Sequence, residues 1–275
     1  MEANYATLLG KQMYKDIIAY AQPQMIYDKM SVTLSVDKNV FEYIKMNQLD
    51  NMGFDDIGPG ADMDNDVLET TKLVSVLDEK GKAPEIPLRV IEDQDFQVVD
   101  LVSKSLARSY ARGLNEDFIT AMNADISTNS AAAAATWDDA AGDPYGDFTR
   151  AVARVEDDNY IGSTALLHPT AKTYLINDPN FMIASDKAKT QVEDQNARAT
   201  ARVYGSDLFI SSDQTSTVLS VVDKDNFAWH LQRSPLIIEP VPGLPSRRSV
   251  VIRAHTRYKF QVIQEVAGSK TTSIL

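Results

Sequence analysis

Cysteine is absent from the sequence. That excludes disulfide scaffolds, cysteine zinc sites, iron–sulfur clusters and thiol nucleophiles, and it leaves the redox compartment unread. Histidine is scarce: His168, His230 and His255 stand 62 and 25 residues apart, without the local spacing of metal ligands, and read as structural or surface residues. Basic charge is also short. Lys and Arg total 27 against 39 for Asp and Glu, a formal net charge of −12, and a surface of that sign does not grip phosphate backbones. The acids divide into 28 Asp and 11 Glu, with 15 Lys beside 12 Arg; the undepleted lysine weakens a halophile reading and leaves solubility as the meaning of the charge. No stretch approaches 18 uninterrupted apolar residues. The start, MEANYATLLGKQMYKDIIAYAQ, mixes acids and lysines among its apolar positions, unlike a signal peptide, so an aqueous, cytoplasmic site of synthesis without membrane contact is expected. Dinucleotide fingerprints, Walker loops, nucleophile elbows and zincin helices are missing too. No enzymatic function, cofactor or metal is expected.

What the 275 residues contain is a near-average globular composition, 44% hydrophobic and 24% charged, which excludes wholesale disorder and fits one large domain or two modest ones. Ala6, Leu9, Met13, Ile17 and Tyr20 recur at helical spacing, and Gln22-Pro23 ends that helix. Its stripe has no obvious partner in its own chain. Val32, Leu34 and Val36 alternate with polar residues, and a matching run, Val67 to Leu77, returns after LDNMGFDDIGPGADMDND, a segment with six Asp, three Gly and one Pro. The two runs predict a long projecting hairpin. Ile86, Leu88 and Val90 then alternate, and EDQD turns them toward Phe96 and Val98, predicting a second, tighter hairpin.

From Asp100, a good N-cap, Leu101, Val102, Leu106, Tyr110, Leu114, Phe118 and Met122 recur mostly at i+4 and predict a helix of about 24 residues, about 36 Å long. Residues 127–147 read as a loop and 147–157 as a short helix carrying Phe148, Val152 and Val155. A strand ending at His168 passes through Pro169, at the first helical position, into TAKTYLIND. Residues 185–200 read as a polar loop, and 203–266 as strands broken by Gly205, Asp213 and Pro-Gly pairs.

Few residues invite chemistry. Asp62-x-Asp64-x-Asp66 resembles the start of a calcium loop, but Val67 stands where such a loop needs Gly and Leu73 where it needs a bidentate Glu, so it reads as a solvated loop. The acid pairs Asp55-Asp56, Asp138-Asp139 and Asp157-Asp158 point apart into water. Arg247-Arg248, Arg253 and Arg257 form the one basic cluster of note.

This order of elements resembles the major capsid proteins of tailed double-stranded DNA viruses, which share the Hong Kong 97 capsid fold. FQVVDLVSKSLARSYARGLNEDFITAMNADI is similar to that family's spine helix and TALLHPTAKTYLINDPNFM to the opening of its axial domain. AWHLQRSPLIIEPVPGLPSRRSVVIRAHTRYKFQVIQEVAG is similar to its closing pair of strands, and RVYGSDLFISSD also carries the likeness. The resemblance covers nearly the whole chain and implies an α+β, Hong Kong 97-type fold. Its parts would be an N-terminal arm (1–30), an extended hairpin or E-loop (31–82), a peripheral domain (83–160) with a spine helix at about 100–124, an axial domain (161–235), and strands returning through the peripheral domain (236–275).

The resemblance further implies a structural, non-enzymatic subunit that self-assembles into hexamers and pentamers of an icosahedral shell. That shell would enclose double-stranded DNA without sequence-specific binding, in a virion synthesised in the host cytoplasm. Portal, scaffold and decoration proteins are the other implied partners. Met1 stands directly at the arm, so the long N-terminal scaffolding segment of some members is expected to be missing, and assembly to need a separate scaffold or none. Two alternatives stand beside this reading: an encapsulin-like compartment shell with a protein cargo, and a soluble α+β enzyme without a recognisable motif.

Unsupported elements single out the expected subunit contacts, because a lone two-stranded hairpin is only marginally stable in water. They are Leu9, Met13 and Ile17 on the arm, and Phe54, Gly58 and Pro59 at the hairpin end. Arg247, Arg253 and Arg257 join them, since shared parity on a strand puts the three on one face. A solvated edge kept from pairing by its charges is the alternative for the arginines.

Overall fold

The computed structural model describes residues 13–46, 70–87, 89, 96–178, 199–203, 205–242 and 249–275. Residues 13–21 are helical (α1), and Pro23 follows in a 3-10 turn, Gln22–Gln24. Next come α2 (Tyr27–Met30), β1 (Val32–Ser35), β2 (Val40–Met46), β3 (Thr70–Val76), β4 (Asp78–Lys82) and β5 (Glu85–Pro87). The middle of the chain holds α3 (Phe96–Asp125), β6 (Ser130–Ala132), α4 (Pro144–Asp157), β7 (Thr164–Leu167) and α5 (Pro169–Asn177). The remainder is β8 (Ala199–Val203), β9 (Ser206–Ile210), β10 (Leu219–Val222), β11 (Ala228–Pro242), β12 (Ser249–Val262) and β13 (Gly268–Thr272).

Two sheets result. The first runs β1-β11-β12-β4, with β5 also on β12; β1 lies parallel to β11 and the rest are antiparallel. The second runs β6-β13-β10-β7-β9-β8. Among the described residues β2 and β3 pair only with each other, in the register Val40↔Val76 to Met46↔Thr70.

Helix α3 joins the two sheets. It has 30 residues, about 45 Å at 1.5 Å per residue, and begins before Asp100, whose carboxylate pairs with Lys104 at 2.6 Å inside the helix instead of capping it. In its first half Leu106, Ala107 and Ala111 cluster with Met13, Ile17 and Ala21 of α1 and with Ile86, Leu236, Ile252 and Ala254 of the first sheet. In its second half Leu114, Phe118, Ile119 and Met122 cluster with Phe260 and Val262 of the first sheet and with Leu166, Phe209 and Val222 of the second. A third cluster packs Phe148, Val152 and Val155 of α4 and Leu175 of α5 on Ala165, Leu167, Leu219 and Val221 of the second sheet.

Polar clamps fix these layers. Asn115, buried on α3, accepts from Ile26 N–H at 2.9 Å and donates to Gln24 C=O at 2.9 Å, satisfying the bend after Pro23. Asn123 of α3 donates to Gln214 at 2.8 Å, Gln214 to Ser220 at 3.0 Å, and the Ser220 hydroxyl back to Asn123 at 3.3 Å, a closed triangle between α3 and β10. Asp143 caps α4 through the Gly146 N–H, and His168 caps α5 by accepting from Thr170 N–H at 3.2 Å.

Several expectations are corrected. The hairpin is built from β2 and β3; Val32–Ser35 instead pairs with β11 from Trp229 to Gln232, because Val36 N–H is taken by Gln232 C=O and the chain turns before Val40. The tighter hairpin does not form: β5 pairs with β12, and Phe96 and Val98 belong to α3. Within the expected loop, Ser130–Ala132 is a strand beside β13. The last strand, β13, lies in the second sheet, not with the closing pair in the first.

Two glycines give a paired prediction. A Cβ at Gly81 would stand 2.7 Å from Ala254 O and 3.0 Å from His255 Cβ, both fixed in β12. Gly81→Ala is therefore expected to push β4 off β12 and destabilise by about 1–3 kcal/mol. Gly113 lies inside α3, where a Cβ meets nothing within 4 Å, and Gly113→Ala should stabilise by roughly 1 kcal/mol through helix propensity. Thermal melts of the two variants should shift in opposite directions; shifts of the same sign would refute the packing described.

Candidate assembly surfaces

Strand alternation divides the β2–β3 ribbon into two faces. Phe41, Tyr43, Leu73 and Ser75 share one face and turn it to the first sheet. Phe41 and Tyr43 meet the Trp229 ring edge-on at 6.2 and 5.9 Å, and the Ser75 hydroxyl donates to Gln261. Burial raises the Tyr43 phenol pKa, Asp125 adding to it, and the Tyr43 hydroxyl is buried without a partner. The other face is bare. Val40, Ile44, Val74 and Val76 are 43, 65, 55 and 58% exposed. Among the described side chains of this face Glu42 and Lys72 carry charge, and they neutralise each other at 2.6 Å, the Lys72 hydrogen bond and charge holding the Glu42 carboxyl below its ordinary range. A two-stranded ribbon showing this much aliphatic surface has the character of an interface.

The second surface lies on the first sheet, opposite α3. Arg253 and Arg257 share parity on β12, as the spacing predicted, and Lys259 stands on the same face. Arg257 holds Glu79 at 2.7 Å and Lys259 holds Asp78 at 2.8 Å, both on the all-exposed edge strand β4, so much of this charge keeps the edge from pairing. Arg253 is exposed and stands across from Glu239.

The arm residues are not where they were expected. Met13 and Ile17 are 1 and 0% exposed within their own chain, so they have no surface left for a neighbour; the stripe has its partner in α3, and this corrects their assignment to a subunit interface. Tyr20, placed on the same stripe, is exposed and reaches Asp100 at 3.4 Å. Leu9, Phe54, Gly58, Pro59 and Arg247 lie outside the described residues, as do Asp62, Asp64 and Asp66. Sequence reasoning missed Val40, Ile44, Val74 and Val76. The signal was present: Val40, Phe41, Tyr43 and Ile44 put apolar side chains on both faces of one strand, which a ribbon covered on one side does not need.

No described helix is long and apolar enough to cross a membrane, and among the described residues no cluster of acids and histidines could hold a metal.

Solved structures define the class first. A chain of Microbacterium phage Oxtober96 matches with a TM-score of 0.66 at 16% identity over 90% of each chain. The capsid of a native GTA particle matches with 0.70 at 15% identity, covering 92% of this chain and 91% of that one. A virus-like particle from Pyrococcus furiosus matches with 0.68 at 8% identity, covering 95% and 98%. At such identities the likeness is one of fold, the Hong Kong 97-type capsid fold. No curated protein matches this chain. A family model described as phage capsid protein matches residues 78–270, and the chain belongs to that family: it is a structural major capsid protein and a component of the virion. The encapsulin-like alternative is not favoured.

Proposed function

We propose that this chain self-assembles into the hexamers and pentamers of an icosahedral shell enclosing the double-stranded DNA of a tailed phage. The observation that carries the reading is the bare aliphatic face of the β2–β3 ribbon, whose four exposed side chains would gain cover on another molecule. On this reading the ribbon and residues 50–66, with Phe54, Gly58 and Pro59, form the extended loop that lies on a neighbour. The first sheet with α3 forms the peripheral domain, and the second sheet with α4 and α5 the axial domain. Leu9 on the arm and Arg247 and Arg253 on the closing strands make further contacts between subunits, and Arg257 does so with Glu79 already bound.

The net charge of −12 fits an inner surface that lets compacted DNA enter and leave without sequence-specific contacts. Portal, scaffold and decoration proteins are the expected partners, the host cytoplasm the place of synthesis, and no catalytic step is assigned. Sedimentation and electron microscopy of the purified chain should show large closed assemblies, and deletion of residues 50–66 should abolish them while leaving the subunit folded. A compact 30.4 kDa monomer across concentration and salt, or normal shells from the deletion variant, would overturn the proposal.

A further inference from the structure

His230, on β11, is 1% exposed and enclosed by rings. It stacks on Phe260 with centroids 4.7 Å apart and 23° between planes, and meets Tyr27 edge-on at 4.7 Å and Tyr258 at 5.7 Å. Its Nδ1 lies 3.3 Å from Thr33 Oγ1 on β1. Its Nε2 is buried with no partner. A neutral imidazole accepts this arrangement, since one nitrogen bonds Thr33 and the other is a bare acceptor. An imidazolium does not, because its second N–H would carry positive charge into a box that offers no acceptor.

Every element around the ring contributes neutral groups. Tyr27 comes from α2, Thr33 from β1, and Tyr258 and Phe260 from β12. Burial raises the Tyr27 and Tyr258 phenols, so both stay uncharged. Two carboxylates act on the surrounding phenols: Asp117 of α3 accepts from the Tyr258 hydroxyl, and Asp28 acts on Tyr27. Stacking on Phe260 returns only part of the lost hydration of a charged ring.

We propose that His230 is a proton-operated latch: charging its ring releases α2 and β1 from the first sheet while the rest of the subunit stays folded. The opening falls on that side because β1 is an edge strand of four residues, whereas β12 pairs with β11 from Val250 to Val262. Residues 27–35 would then leave α3, while α1 keeps its place in the cluster with the first half of α3. The device belongs to the subunit and does not depend on the assembly proposed above.

The direction of the pH effect follows from burial, which pushes the imidazole from 6.5 down to about 4. The closed box thus binds the proton less tightly than the open one. The latch is at full strength well above pH 6.5 and weakens as pH falls toward 4; at pH 4.5 closure is disfavoured by roughly 60-fold relative to neutrality.

Amide exchange on the full chain, followed by mass spectrometry and corrected for intrinsic rates, tests this. Between pH 7 and 4.5 the peptide spanning residues 27–36 is expected to lose protection tenfold or more relative to β7 and β10. His230→Gln and His230→Phe should both abolish that response, and His255→Gln should keep it. If the aromatic variant does not fold, the amide variant gives the reading alone. A parent without the response, a response that survives in His230→Gln, or an equal loss in β7 and β10 would each overturn the latch.

Discussion

Phe118→Ala is expected to destabilise the subunit by about 3–5 kcal/mol, enough to remove a large share of the stability of an ordinary domain. The ring is 1% exposed, meets Phe260 edge-on at 5.5 Å, and sits in the cluster that joins both sheets to α3. Truncation leaves a cavity that neither sheet can close without leaving the other. Leu106→Ala, in the cluster shared with α1, should cost about 2–5 kcal/mol. Leu101 was read on the same stripe yet is 63% exposed, so Leu101→Ala should stay within about 0.5 kcal/mol of the parent. Urea denaturation of the three variants checks the order, and equal costs for Leu101 and Phe118 would mean that the facing of α3 is wrong.

The second large effect concerns association. With Ile44→Asp and Val74→Asp together, shell formation is expected to fall at least tenfold while the subunit melts as the parent does. Both side chains project from the bare face, on adjacent strands flanking the Glu42–Lys72 pair. In the subunit the carboxylate at position 44 faces Lys72 and the one at position 74 faces Glu42 across the ribbon, an attraction and a repulsion between exposed groups that largely offset, so folding changes little. At an interface each would replace a burial worth about 1.5–3 kcal/mol with an unpaired charge, and the penalty recurs at every subunit. Light scattering and microscopy read the yield, and undiminished shells would exclude this face from assembly.

The local periodicities were legible in the sequence. The i+4 row of α3 from Leu106 to Met122, the apolar triad of α4 and the strand-Pro-helix corner at His168 depend on neighbours in the chain, and they stand where the spacing put them. Pairing was less legible. Val32 and Leu34 have the alternation of a strand, but alternation does not say whether the partner is β3, nearby, or β11, far away. Asp100 has the chemistry of a cap and the same chemistry for an i,i+4 pair, and the outcome turned on residues upstream. Of the assembly surfaces, the parity of Arg253 and Arg257 was readable, whereas the role of Met13 and Ile17 was inverted, because a stripe without a sequence-local partner finds one in α3. Asn115 carries no signal at all, since only the bend at Gln24 gives its amide a purpose.

The parallel pairing of β1 with β11 also has a consequence for how the molecule is made. Thr33 and His230 touch across 197 residues, and Glu79 and Arg257 across 178. At translation rates of about 5–20 residues per second, the strands β1 to β5 wait roughly 10–40 s on the ribosome before β11 exists. Throughout that interval the apolar sides of α1 and α3 have no sheet to cover them, and the aliphatic ribbon is already exposed. Loops of this length close slowly, so the nascent chain is in most danger of wrong pairing just before β11 emerges. Folding helpers would act in that window, and a slower ribosome would lengthen the exposure instead of relieving it.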